Sequence, residues 1–187
     1  MRKLILGGVG SIAVLIASSI LTFSQGGMPP TKATYVTAED IQAHLKFQGA
    51  GETINHVDMG GSSVGIAALR RGATKPGAPL TGINHAQVTE VYYVVSGSGT
   101  LITGTNVTDV KPLAPDNTLV KQVVGPSSNA TFKPGAQMKV VKTGDFIIIP
   151  RGVYHGFTDI SDHITYVTVR QDADQVVPAG YLSPALK

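Results

Sequence analysis

The chain has no cysteine, and only 14% of its 187 residues are charged. Without cysteine there is neither a disulfide nor a lipidated thiol, so stability in an oxidising compartment must come from packing alone. Basic clusters are also missing. The net charge is only +3, and beyond the first three residues the one tight basic pair is Arg70-Arg71. That excludes the one-sided Lys/Arg footprint of a nucleic-acid binder. Hydrophobic residues make up 42% of the chain, too many for a disordered segment. No internal repeat is visible, and helix signals are few.

What is present begins with a targeting segment. Arg2 and Lys3 precede residues 4–23, a run without a single charge, and Ser24-Gln25-Gly26-Gly27 follows. This is the layout of an export signal, with Thr22 and Ser24 as small residues for cleavage after Ser24. The run is also just long enough to span a bilayer, so an uncleaved anchor is the alternative. The expected location is periplasmic or extracellular, with membrane contact only if residues 1–24 stay attached. Residues 25–50 read as a linker and N-terminal arm, 51–175 as one domain of ample size for a core, and 176–187 as a tail packed outside it. Asn106-Val107-Thr108 and Asn129-Ala130-Thr131 are glycosylation sequons, relevant only in a eukaryotic source.

Thr37 followed by Asp40 predicts a helix start and a short helix over 38–47, with His44 facing solvent. From there the pattern is β. Residues 53–59, 63–69, 88–96, 100–103, 119–124, 136–141, 145–149 and 164–170 read as strands. Residues 70–82 and 106–115 read as loops, and Gly97-Ser98-Gly99 as a hairpin turn. Phe146, Ile147, Ile148 and Ile149 are all apolar, which predicts a strand buried on both faces. Many short strands with regular turns fit an all-β antiparallel sandwich or barrel.

Two stretches carry the chemistry. Residues 77–97 (GAPLTGINHAQVTEVYYVVSG) hold His85 and Glu90 ahead of a β-rich run. Residues 144–157 (GDFIIIPRGVYHGF) place His155 after a strand and a Pro-Arg-Gly turn. Strand alternation puts Ile83, His85 and Gln87 on one face, and Glu90, Tyr92 and Val94 on one face of the next strand. If both faces point into the domain, His85, Glu90 and His155 converge. Two imidazoles and one carboxylate suit a divalent transition metal with open positions; iron, manganese, zinc, nickel and copper all qualify. A lone histidine near an apolar strand is ordinarily a satisfied core residue, and His56 and His163 read as surface or loop residues on that basis. Arg151, in the turn before His155, is a candidate for holding an anionic substrate. Tyr92 shares the face of Glu90 and could orient one, as could Gln87.

The two stretches resemble the two signature motifs of the cupin superfamily. The first aligns at Gly77, Ile83, His85, Glu90 and Gly97, the second at Gly144, Pro150, Gly152, His155 and Asp159, with both spacings kept. The resemblance implies a single jelly-roll β-barrel over about residues 62–170, a metal held by His85, Glu90 and His155, and a small-molecule substrate or ligand. It departs where the family's first histidine is Ile83, leaving two imidazoles, with the Gln87 amide as an optional further ligand. It implies a mononuclear non-haem oxygenase or related oxidoreductase; a non-catalytic binding module is the alternative, and a homodimer is an open option.

Overall fold

The computed structural model describes residues 28, 30–47 and 53–187. The export segment and the glycine break before the domain lie outside the described residues. Thr37 reciprocally caps α1 (Ala38–Lys46), the one α-helix among the described residues. Its hydroxyl accepts the Asp40 N–H at 3.2 Å, and the Asp40 carboxylate accepts the Thr37 N–H at 2.9 Å. His44 does not face solvent. It is buried, with Nδ1 3.0 Å from the Ser183 hydroxyl, so the chain's own tail covers it.

Ten strands follow: β1 (Thr53–Asp58), β2 (Ser63–Gly72), β3 (Thr81–His85), β4 (Val88–Gly104), β5 (Val107–Pro112), β6 (Ser127–Phe132), β7 (Gln137–Lys142), β8 (Phe146–Ile149), β9 (Tyr154–Thr158) and β10 (His163–Asp172). All pairings are antiparallel. The order is β1-β2-β10-β4-β9-β3-β6-β5, with β7 and β8 added along β4. The path does not close on itself, so the jelly roll is a sandwich of two sheets with open ends.

The two sheets share β4. Its first half pairs with β10 and β8, its second half with β9 and β7. The expected hairpin at residues 97–99 is therefore absent, and the chain bends there instead of turning back. Gly97 makes the bend at φ +77°, and a Cβ on it would run into the carbonyl oxygen of His163. Between the sheets lie Tyr92, Val94, Leu101, Val141, Ile149, Ile160, Ile164 and Tyr166. Each such side chain taken from water contributes roughly 1.5–3 kcal/mol.

Three strand readings need correction. Residues Val120–Val124 form a single π-helical turn. Leu119, Val120, Val123 and Val124 recur at helical spacing, and Val123 and Val124 are both buried. The loop expected over 106–115 contains β5, and β6 went unread. β5 lies at the end of the path, almost wholly exposed, so apolar and polar residues fall on both of its faces and its sequence carries no alternation. A break in register between Thr108 and Lys111, with Asp109 at φ 52°, blurs it further. Finally, β8 is buried on one face only: Ile149 is 2% exposed, whereas Phe146 and Ile148 are 71% and 72% exposed.

The tail returns to the domain. The Asp172 carboxylate accepts the N–H groups of Val176 and Val177 at 3.0 and 2.8 Å. Leu182 then bridges to Asn55 on β1. His56, on β1, is likewise buried and not a surface residue, with Nε2 2.9 Å from the Ser63 hydroxyl. His163, at the start of β10, is partly exposed and pairs with Asp162.

Candidate metal centre

Three strands bring the chemical residues together. β3 ends on His85, β4 supplies Glu90 and Tyr92, and β9 supplies His155. Close approach of β3 and β9 requires Gly156, where a Cβ would collide with the Thr81 carbonyl. The Nε2 atoms of His155 and His85 lie 3.1 and 3.5 Å from Oε2 of Glu90. One ligand atom from each of the three lies within 4.8 Å of the others, and all three residues are buried.

The outer nitrogens of both rings are already committed. Ser127 donates its hydroxyl hydrogen to the Gly125 carbonyl at 2.9 Å, so its lone pair is left to accept Nδ1–H of His85, also at 2.9 Å. His155 Nδ1 lies 3.1 Å from the Val153 carbonyl, which can only accept. With Nδ1 protonated on both rings, both Nε2 lone pairs face the Glu90 carboxylate. Three electron-rich atoms so placed repel unless a cation, or a proton on one ring, lies among them.

Glu90 is 1% exposed, and it is not alone. Arg170, its cross-strand partner, donates Nε–H to Oε1 at 2.7 Å, and Tyr92 donates its hydroxyl to Oε2 at 2.8 Å. Burial pushes the Glu90 carboxyl up, but the Arg170 guanidinium beside it outweighs burial and holds it well below its ordinary 4.5. Burial pushes His85 below its ordinary 6.5 against the pull of Glu90, so the ring stays neutral. The Tyr92 hydroxyl is driven well above 10.0, first by burial and then by the Glu90 charge, and it stays a donor.

Sequence reasoning missed Arg170 and Ser127. A signal for Arg170 was there: in ITYVTVR, Ile164, Tyr166, Thr168 and Arg170 share one face, and the two large apolar members fix that face inward. Arg170 also removes one argument for a metal, because Glu90 is not an unpaired charge. What favours an ion is the donor set itself: two neutral imidazole nitrogens and one carboxylate oxygen, each oriented from behind. The residues present fit a divalent transition metal. Oε1 is occupied by Arg170, which leaves Oε2 as the oxygen facing the rings.

The other candidates fall elsewhere. Gln87 lies in the bend between β3 and β4, where strand alternation lapses, and does not line the cavity over the centre. Arg151 is on the surface, with Nη1 3.1 Å from the Asp174 carboxylate. Ile83 is opposite His155 in the β3–β9 pairing and forms part of the cavity wall. That cavity is about 480 Å³ in volume and has His85, Glu90 and His155 among its lining residues. Its wall is apolar at Leu69, Leu119, Val124, Phe157 and Ile160, and polar at Arg71 and Asn129.

The family model described as Cupin matches residues 42–184, and the chain belongs to that family. Its matched region spans the whole two-sheet domain. Comparison of the sequence with curated proteins gives no match. Among solved structures, similarity extends to BH2720 of Bacillus halodurans (10% identity, TM-score 0.43, 83% of this chain and 92% of that one). It extends also to a protein of Klebsiella pneumoniae with a double-stranded β-helix domain (16%, 0.39, 76% and 93%). A third is the Fe(II) form of HppE with an alternative substrate (14%, 0.38, 57% and 41%), of which this chain spans less than half.

Proposed function

We propose that this protein is an exported cupin that binds one divalent transition metal through His85, Glu90 and His155 and acts on a small organic molecule. The reaction class best suited to this donor set is a mononuclear non-haem, iron-type oxygenation or a related oxidation. The observation that carries the reading is the pair of Nε2 lone pairs directed at Glu90 Oε2, each ring fixed from behind by an acceptor. When bound, such a metal supplies Lewis-acid and redox chemistry at positions the protein leaves open. The chain's own residues do the rest. Ser127 and the Val153 carbonyl hold both rings in one tautomer. Arg170 keeps Glu90 ionised, and Tyr92 restricts its rotation. The apolar wall, Ile83 included, strips water from a bound molecule, while Arg71 and Asn129 give the cavity a polar side for an oxygen-bearing end.

Metal content by mass spectrometry on protein purified without added metal is the direct test. About one equivalent of one transition metal is expected, and His155→Ala should lose it while keeping the fold. Ser127→Ala should weaken affinity roughly 10- to 100-fold, the usual cost of losing a partner behind a ligating histidine. If iron, manganese, zinc, nickel and copper all bind the wild type no better than His155→Ala, the metal reading fails. A second reading, a non-catalytic small-ligand module, then leads. It is favoured by Ile83 in place of a fourth ligand and by the Glu90–Arg170 pair, which neutralises the site without an ion.

A further inference from the structure

The tight basic pair Arg70-Arg71 sits at the end of β2, where strand alternation sends its two side chains to opposite faces. The register of β2 against β10 runs unbroken from Ser63 to Gly72, so Arg71 shares the face of Ala67 and Leu69, which are buried between the sheets. Arg70 takes the other face, with Nη1 3.4 Å from the Thr165 hydroxyl. Two adjacent cations thus serve opposite sides of one sheet. Arg71 stands at the open end of the sandwich, and its side chain lines the cavity that contains His85, Glu90 and His155.

The guanidinium is held in place. Its Nε donates to the Tyr166 hydroxyl at 2.9 Å, and its central carbon lies 5.9 Å from the Tyr166 ring centroid. The segment after β2 is clamped as well: Thr74 donates its N–H to the Ile160 carbonyl and accepts the Ile160 N–H on its hydroxyl, both at 3.0 Å. Between Arg71 and the centre runs one aromatic wall, Tyr92, Tyr166 and Phe157, with ring centroids 4.4–6.5 Å apart. Charge follows the same axis. Among the described lining residues the only carboxylate is Glu90, and Arg170 already balances it. With neutral imidazoles, two guanidinium groups against one carboxylate leave the cavity one positive charge in excess, and a bound divalent ion adds to it.

We propose that Arg71 is the anion anchor of this cavity and that the substrate is an elongated monocarboxylate. Its carboxylate meets Arg71, its apolar body lies against Tyr166 and Phe157, and its reacting end reaches the centre. The inference rests on the reading of this cavity as the substrate site and adds the class of molecule it takes. A planar guanidinium presents the paired N–H geometry that a carboxylate accepts. One such group in a mouth otherwise apolar or neutral suits a single charge, not the two of a phosphate monoester. Arg71 is exposed, so the anion keeps part of its water and its transfer costs little. Length follows from the strands. Arg71 lies six residues along β2 from Gly65, which is level with Glu90 through Arg170, or roughly 20 Å. The Arg71 side chain folds back over part of that distance to Tyr166, and an extended acid spans the remainder.

Calorimetric titration of the full chain, as purified and after chelator treatment, tests this with 3-phenylpropionate, 5-phenylpentanoate and octanoate, each against its neutral amide. At about 0.15 M salt a charge remote from the ligand is largely screened. The best-fitting acid should bind the wild type about tenfold or more tightly than its amide, a comparison that needs no variant to fold. Arg71→Gln should erase that preference while leaving amide binding and metal content unchanged. Arg70→Gln removes the same charge from the neighbouring residue and should keep the preference. A wild type that favours none of the acids over its amide overturns the proposal, even with metal bound. Equal loss in both arginine variants overturns it too, as does phenyl phosphate binding more tightly than every acid. If the acids keep their preference in protein that takes up no metal, Arg71 stands as the anchor and the metal reading alone fails.

Discussion

The two faces of β4 invert the usual pattern of a half-buried strand. Inward, Glu90 and Tyr92 carry a charge and a hydroxyl into the space between the sheets; outward, Val91 and Tyr93 present apolar surface to water. An ordinary strand would place these the other way round. The inversion separates the two faces along four consecutive residues. The inner face carries the candidate centre: Glu90 meets Arg170 on β10, His85 on β3 and His155 on β9, and the Tyr92 hydroxyl donates to Glu90 itself. The outer face is apolar, and among the described residues Tyr93, Phe146 and Ile148 are left exposed on it. The departure from binary patterning on the inner face thus coincides with the candidate centre.

The strongest way to break the inner half is to remove the partner of Glu90. Arg170→Met should destabilise the protein by about 3–5 kcal/mol in urea unfolding, because it leaves a buried carboxylate uncompensated. Adding Glu90→Gln should recover most of that loss; if it does not, Arg170 is acting through packing and not charge.

The boundary between the faces is sharpened by two adjacent residues. Ile149→Asp should cost roughly 3 kcal/mol or more, since it places a carboxylate in the core. Ile148→Asp should change unfolding of the isolated chain by less than about 1 kcal/mol, because its side chain already stands in water. Equal losses at both positions would contradict the assignment of faces on β8.

The smallest effect concerns His56, buried on β1 away from the cavity. Burial lowers its affinity for a proton below the ordinary 6.5, with Arg170 acting the same way and Asp172 opposing. Its Nδ1 has no hydrogen-bond partner among the described residues. A depressed histidine is neutral in the folded chain, so its contribution is complete above pH 6.5 and is lost as the pH falls through the folded value. Stability should therefore decline on acidification below about 6.5, and His56→Gln should flatten that slope in a pH series of melting curves. An identical slope in both proteins would remove His56 as the cause.

Much of the site was legible because strand spacing is rigid. The intervals from Gly77 to Gly97 and from Gly144 to His155 place His85, Glu90 and His155, and the structure brings those three side chains together. The helix was legible for a local reason, the reciprocal cap of Thr37 and Asp40. What escaped reading depended on the third dimension. Arg170 went unread at the end of the strand over 164–170, although it shares a face with Ile164 and Tyr166; its register with Glu90 is what gives it a partner there. Ser127 lies on a strand whose polar composition hid it. Ile148 differs from Ile149 only in which side of the sheet it reaches. Gly97 reads the same in sequence whether a strand turns back or bends onward; the close approach of β10 decides it.

The pairing of Arg170 with Glu90 also has a consequence for the order of events in the protein's life. A carboxylate buried without a counter-charge would make the fold wait for its ion, as small zinc domains do. Here the counter-charge is encoded in the chain, so the domain can assemble without an ion. On the proposed metal reading, uptake would then follow folding, and the ion would be chosen by its supply around the folded protein and by the affinity order of the donor set.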